Sequence, residues 1–143
     1  MIRGVDYIGV GIGAVIVNDK KQVLLAKRGK KAKNERGKWE FPGGSVEFGD
    51  TMEATIKREI KEELGVEIDL YEHLPAIDHI ISEENQHWVT SGFIARIKKG
   101  IPTVMEPEKC EGIEWFDYEQ LKATKKELSL ASVQYLPYIE EYL

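Results

Sequence analysis

The sequence predicts an α/β domain in which helices cover both faces of a mixed β-sheet, an α/β/α sandwich. Two observations lead to this prediction. Short segments rich in Val and Ile recur along the chain, and one strongly amphipathic helix at residues 51–64 interrupts them. The chain has 143 residues, 42% of them hydrophobic, which suits one domain with one sizeable core. We therefore expect a single domain spanning residues 1–143.

The first half of the chain is expected to start with two paired strands. The segments from Val10 to Val17 and from Val23 to Lys27 flank a turn-forming stretch at 18–21, which predicts a hairpin. A polar loop at 29–38 and a short extended segment at 39–41 follow, and Pro42-Gly43-Gly44 is expected to end that segment. Further strands are predicted within residues 66–76, 77–82, 87–97 and 113–116, and helices at 118–123 and 130–142, the last kinked or divided at Pro137.

The helix at 51–64 has recognisable ends. Asp50 is expected to cap its N-terminus, with Glu53 completing a capping box, and Gly65 supplies the C-terminal stop. At about 100° per residue its apolar residues form one stripe. The members of that stripe are Met52, Ile56, Ile60 and Leu64.

Three carboxylates lie beside this stripe. Glu63 falls inside it, Glu59 at its border, and Glu62 further out on the same side. One interpretation is a solvated face paired at helical spacing, and Arg58 with Glu62 fits that pattern. The other is a divalent cation bound by the three glutamates, because an ionised carboxylate next to the core needs a positive partner. Oxygen ligands favour Mg²⁺, with Mn²⁺ as the alternative, over Zn²⁺.

A glycine-rich segment leads directly into this helix and resembles, together with it, the Nudix box. That pattern is Gly-x5-Glu-x7-Arg-Glu-U-x-Glu-Glu-x-Gly-U, where U is a bulky aliphatic residue. In this chain the matching positions are Gly44, Asp50, Arg58, Glu59, Ile60, Glu62, Glu63, Gly65 and Val66. Every spacing fits, and the one departure is Asp50 in place of Glu, one methylene shorter, which is expected to weaken a supporting contact in the loop.

The resemblance implies a Nudix α/β/α sandwich and the hydrolysis of a phosphoanhydride bond with Mg²⁺ as cofactor. Glu59 and Glu63 are expected to be the main metal ligands, helped by Glu62 and the Gly43 carbonyl. Arg58 is expected to hold a glutamate in place. The general base is left open between Glu63 and a loop carboxylate, with Glu108 and Glu111 as loop candidates that fit a solvated acidic turn equally well.

The flanking segments resemble the MutT-like branch of the family, some of whose members act on guanine deoxynucleotides. This implies hydrolysis of a nucleoside triphosphate to the monophosphate and pyrophosphate. The expected substrate-binding residues are Arg28, Glu40, Phe41, Gly44 and Thr90. Arg28 would contact phosphate or be a surface charge at a strand end, Phe41 would pack on the base or in the core, and Glu40 or Thr90 would read the edge of the base. His79 and His87 lack metal-ligand spacing and are expected to be structural or to lie at the rim.

Three other functions remain open. The same box occurs in ADP-ribose and nucleotide-sugar pyrophosphatases. A non-catalytic nucleotide sensor is disfavoured because it need not keep three costly carboxylates, and RNA decapping is disfavoured by the acidic charge. We expect Glu40→Ala to erode base preference more than metal binding.

Composition limits the partners and the location. The net charge of −5 offers no broad basic surface, so we expect a small-molecule nucleotide substrate and no stable nucleic-acid binding. The basic run at 27–31 fits either a solvated loop or a phosphate contact. Cys110 is the single cysteine, and neither a signal peptide nor a run of roughly 20 apolar residues is visible. We expect a cytoplasmic protein without membrane insertion, and a homodimer by resemblance.

Overall fold

The computed structural model describes residues 1–32 and 34–143, so the loop expected at 29–38 lies within the described residues except for Lys33. Seven strands and three α-helices follow one another along the chain. They are β1 (Gly9–Ile16), β2 (Val23–Arg28), β3 (Trp39–Glu40), β4 (Gly43–Ser45), α1 (Met52–Leu64), β5 (Glu67–Ile81), β6 (Gln86–Lys99), β7 (Cys110–Phe116), α2 (Tyr118–Ala123) and α3 (Leu130–Ile139). None of the helices in the described residues is long and apolar enough to cross a membrane.

The strands form two sheets, and helices cover them from opposite sides. The larger sheet has the order β4-β1-β6-β5, and its β1–β6 pair is parallel while the others are antiparallel. The smaller sheet, β3-β2-β7, is antiparallel. One core cluster joins the sheets to α1 and a second joins them to α2 and α3. Alternate residues of β1, such as Val15 and Ile16, contribute to different clusters, which confirms the predicted α/β/α sandwich with a mixed sheet.

The expected hairpin of the first two strands is wrong. The turn at 18–21 forms, but a single bridge between Val17 and Val23 is the only pairing across it among the described residues. Beyond that bridge β1 and β2 enter different sheets. Each is a central strand with a hydrogen-bonded neighbour on both edges, so neither has an edge left for the other.

The chain passes from one sheet to the other immediately after β3. Pro42-Gly43-Gly44 was expected to end an extended segment, but Gly43 begins β4, which pairs with β1 through Gly13 and Gly43. Backbone hydrogen bonds from Ala14 N to Pro42 O (2.8 Å) and from Val46 N to Val10 O (2.9 Å) hold this segment in place. Only two residues, Phe41 and Pro42, therefore separate a side chain of the small sheet, Glu40, from the glycines of the large one.

Helix α1 is built largely as its sequence predicts. Ile56, Ile60 and Leu64 are fully buried, and Gly65 ends the helix in a left-handed conformation with φ 70°. The N-cap, however, is Thr51, whose hydroxyl accepts a hydrogen bond from Ala54 N at 3.0 Å. The capping box expected from Asp50 is therefore wrong.

The other elements differ mainly in their bounds. Residues 67–81 form one long strand with bulges, where two strands were expected. Helix α3 continues past Pro137 and ends at Ile139.

Candidate active site

Two glutamates on the last turns of α1 form the centre of the candidate site. Glu59 and Glu63 are hydrogen-bonded to each other, while Glu62 points to solvent. The backbone of β4 lies directly against Glu59, because a Cβ atom at Gly44 would lie 2.6 Å from Cδ of Glu59. The glycine thus brings a strand backbone within reach of the carboxylates.

Burial and like charges hold this pair partly protonated. The pKa of Glu63 is raised to about 9, first by burial and then by the carboxylates of Glu40, Glu59 and Glu106. Burial and the neighbouring Glu62 also raise the pKa of Glu59. Among the described residues, no group of three His, Cys, Asp or Glu side chains is already arranged to hold a metal ion. The all-oxygen donor set and its excess negative charge fit a divalent cation, which would take the place of the shared proton.

Arg58 connects the loop before α1 to the carboxylates. Its guanidinium donates to Asp50 at 3.0 Å and lies 3.7 Å from Glu59 and 3.9 Å from Glu62. The supporting contact that the shorter Asp50 was expected to weaken therefore forms. Arg58 orients the outer side of the site.

The loop between β6 and β7, in which Glu108 was named from the sequence, closes the other side through its earlier residues. Thr103 N and Met105 N donate to the carbonyls of Leu64 and Glu63 at 3.0 and 2.9 Å, which satisfies the open end of α1. This docking brings Glu106 close enough to raise the pKa of Glu63. The only sequence signal for it is that the last carbonyls of α1 need donors.

The two loop carboxylates named from the sequence lie elsewhere. Glu108 pairs with Lys31 at 2.9 Å, and both side chains are exposed. Glu111 is an exposed residue at the start of β7. Glu106 therefore lies near Glu63, whereas Glu108 forms an ion pair on the surface.

A cavity of about 320 Å³ opens beside the carboxylates, between the two sheets and α3. All five residues expected to bind substrate line it, namely Arg28, Glu40, Phe41, Gly44 and Thr90. Its volume and its mixture of apolar and polar walls suit a small organic ligand. Glu40 belongs both to this cavity and to the charges acting on Glu63, so it lies between cavity and carboxylates.

Arg28 is neither a free surface charge nor free to turn toward a ligand. Its guanidinium donates to Glu40 at 2.8 Å and to the carbonyl and side-chain oxygens of Asn34 at 3.0 and 2.8 Å. Burial raises the pKa of Glu40, and the charge of Arg28 opposes that rise. Arg28 therefore stabilises the ionised form of Glu40 at the cavity wall.

Phe41 and Thr90 form further parts of the wall. Phe41 is buried, belongs to the core cluster of α3, and also faces the cavity, so packing and contact with a ligand are compatible roles. Thr90 donates its hydroxyl to the Ile77 carbonyl at 3.3 Å, and its own carbonyl accepts from the Tyr135 hydroxyl at 2.9 Å.

The raised pKa of Glu63 predicts how pH affects the metal-free protein. The folded state keeps the Glu63 proton up to a pKa of about 9, whereas the unfolded chain loses it near 4.5. The unfolded state therefore binds fewer protons in this window, and stability falls as pH rises through it. Thermal unfolding in EDTA should show this decline, and Glu63→Gln should flatten it. An unchanged slope in the variant would contradict this assignment of the proton.

Known proteins resemble this chain over most of its length. Residues 8–137 match the model of the NUDIX domain. The crystal structure of a MutT NUDIX hydrolase from Burkholderia pseudomallei superimposes with a TM-score of 0.79 at 36% identity, covering 92% of this chain and 98% of that one.

Curated relatives match over parts of their length. An RNA pyrophosphohydrolase from Ruthia magnifica is 41% identical over 63 residues, which is 44% of this chain and 31% of that protein. The human 8-oxo-dGDP phosphatase NUDT18 is 31% identical over 106 residues, which is 72% of this chain and 30% of that protein. The chain thus spans about a third of the length of these relatives.

Proposed function

This chain belongs to the Nudix family, and from that premise we propose that it is a Mg²⁺-dependent hydrolase of nucleoside triphosphates, releasing the monophosphate and pyrophosphate. The observation that supports this most is the position of the Glu59–Glu63 pair, with its excess negative charge, beside a cavity of about 320 Å³.

Each carboxylate has a defined part in the proposal. In this proposal Glu59 and Glu63 would hold the cation. The Gly43 carbonyl and the side chain of Glu62, which is exposed in the metal-free protein, would complete its ligands. When bound there, Mg²⁺, or Mn²⁺ in its place, would supply positive charge to neutralise the polyphosphate and to activate a water molecule for attack on phosphorus. Arg58 keeps Glu59 and Glu62 oriented through its contacts on the outer side of the helix.

The proton of the attacking water needs an acceptor near the ligands. Glu106 is the loop carboxylate whose charge raises the pKa of Glu63. The preceding residue, Met105, is held in place by the hydrogen bond from its backbone N to the end of α1. We therefore favour Glu106 over Glu108 and Glu111 as the loop candidate for the general base. Glu63 itself stays the alternative.

Base recognition is assigned to the cavity. Arg28 favours the ionised form of Glu40 and occupies its Oε1. A carboxylate in that position accepts hydrogen bonds from N1–H and the exocyclic amine of guanine, a pattern that the corresponding edge of adenine lacks. The similarity to a protein named 8-oxo-dGDP phosphatase supports a guanine-type base.

A substrate panel tests this proposal, with Glu40→Gln as the informative variant. The wild type should hydrolyse dGTP with a higher kcat/KM than dATP, dCTP or ADP-ribose. Glu40→Gln keeps an oxygen for Arg28 but places an NH₂ group against the donors of guanine, so the preference for dGTP should fall by roughly 10-fold or more. Release of phosphate and pyrophosphate, with and without Mg²⁺, gives the rates. A preference for ADP-ribose, or an unchanged base ranking in Glu40→Gln, would contradict this proposal.

The panel also includes a 5′-triphosphorylated RNA, because one relative is named an RNA pyrophosphohydrolase. Faster turnover of that RNA than of dGTP would favour RNA as substrate despite the net charge of −5.

The homodimer and the cytoplasmic location expected from the sequence stay predictions. Light scattering tests the oligomeric state, and cell fractionation tests the location.

A further inference from the structure

His79 is the one histidine that lines the cavity in the described part of the chain, and the proposed chemistry does not use it. It lies on β5 opposite Trp88 of β6, and only 6% of its surface is exposed. A buried imidazole needs hydrogen-bond partners to offset its loss of contact with water. Its partners therefore indicate what it does.

A glutamine side chain lies near the buried ring. In the described part of the chain, Nδ1 of His79 and Oε1 of Gln134 are the two buried side-chain polar atoms without a hydrogen-bond partner. Gln134 is nonetheless close enough to act on the pKa of His79 as a hydrogen-bonding group. Its amide is oriented because Nε2 donates to the Asp78 carbonyl at 3.1 Å. Oε1 is therefore the atom that it offers to the imidazole.

We assign the tautomer from these two unpartnered atoms. An amide oxygen only accepts, so pairing of Nδ1 with Oε1 of Gln134 places the proton on Nδ1 and leaves Nε2 of a neutral ring as the acceptor. Burial lowers the pKa of His79, which keeps the ring neutral near pH 7. His79 lines the cavity, and Nε2 is not among the buried unpartnered atoms, so we assign Nε2 as the ring nitrogen that faces the cavity.

We propose that His79 is a specificity-determining residue, whose Nε2 accepts a hydrogen bond from the exocyclic amine of a guanine base. The inference rests on the proposed function, since it requires a base in this cavity. The amine carries two hydrogens. Glu40 takes one together with N1–H, and His79 takes the other. Both acceptors line the same cavity.

Binding of dGMP and dIMP tests the inference, because hypoxanthine differs from guanine by the missing amine. The titrations contain no metal and need no hydrolysis. Wild-type protein should bind dGMP more tightly than dIMP, and His79→Leu should weaken dGMP roughly 10-fold while leaving dIMP nearly unchanged. His79→Gln, which can still offer an oxygen to the amine, should restore part of the loss. The matched control is His87→Leu, a histidine whose side chain is 38% exposed and lies outside the cavity lining, and it should leave both affinities unchanged.

Gln134 is a positioning residue in this scheme, and Gln134→Glu tests it separately. A carboxylate beside Nδ1 favours the doubly protonated ring, which turns Nε2 from an acceptor into a donor. Affinity for dGMP should fall toward that for dIMP although the imidazole is still present. The ¹⁵N chemical shifts of His79 should change from the Nδ1–H tautomer to the imidazolium, which a purely structural role would not predict.

The outcomes separate the two claims. If the wild type binds dGMP and dIMP equally, or if His79→Leu weakens both equally, the role of His79 is overturned while the base site stands. If neither nucleotide binds, the cavity does not hold the base, and the inference is overturned along with that part of the proposed function. Hydrolysis of dGTP without a difference between dGMP and dIMP overturns the inference alone.

Discussion

Glu63→Gln should lower kcat for nucleotide hydrolysis by at least about 100-fold while the fold stays intact. The amide cannot supply the negative charge that a divalent cation needs, yet it has the same shape and can still donate to Glu59. Because Glu63 is protonated in the metal-free protein, with a pKa of about 9, the substitution removes no charge interaction that stabilises that state. The unfolding temperature in EDTA should therefore hold or rise at pH 7.

The matched control is Glu53→Gln in the first turn of the same helix, where the side chain is exposed and outside the carboxylate cluster. It should leave activity unchanged. Calorimetric titration with Mg²⁺ gives the affinity of each variant. Near-normal turnover in Glu63→Gln would mean that the cation binds at another place.

Methyl groups added at the two glycines of β4 should have different effects. A Cβ at Gly43 would lie 1.9 Å from the Ile12 carbonyl oxygen, and a backbone atom in a central strand cannot move aside. Gly43→Ala should therefore cost about 3 kcal/mol of stability or prevent folding. At Gly44 the nearest atoms belong to the flexible Glu59 side chain, which can rotate away. Gly44→Ala should thus fold normally and lose most of its activity.

Gly112→Ala is the control for both, because a Cβ at that strand position meets nothing within 4 Å. Urea denaturation and kcat should be measured on all three variants. Equal activity in Gly44→Ala and Gly112→Ala would show that the close approach of Gly44 to Glu59 does not matter for hydrolysis. Normal stability of Gly43→Ala would contradict the tight register of β4 on β1.

The parts of this molecule that the sequence predicts well are those with local causes. The stripe of α1 and the glycine at its end depend on residues three or four positions apart, and both form as expected. The hairpin failed because pairing of successive strands is only a tendency, and both strands found partners from distant parts of the chain.

The candidate site also combines residues that local spacing predicts with residues that only long-range contacts bring together. Glu59 and Glu63 are visible in the helical spacing, whereas Glu106 joins them only because its loop supplies donors to the end of α1. The role of Arg28 in holding Glu40 depends on a strand pairing, between β2 and β3, that brings the two side chains together. His79 carries no local signal at all, since its surroundings come from β6 and α3.

The parallel pairing of β1 with β6 has a consequence for how the chain folds during synthesis. Strand β1 is synthesised before β6, so Gly9 must wait for Trp88 before it gains its main partner. Until then only the short β4 can shield it, so the Val- and Ile-rich segment leaves the ribosome with an open edge. Early binding of a chaperone to residues 9–16 during translation would be the expected response, and arrested nascent chains ending before and after β6 would reveal its release.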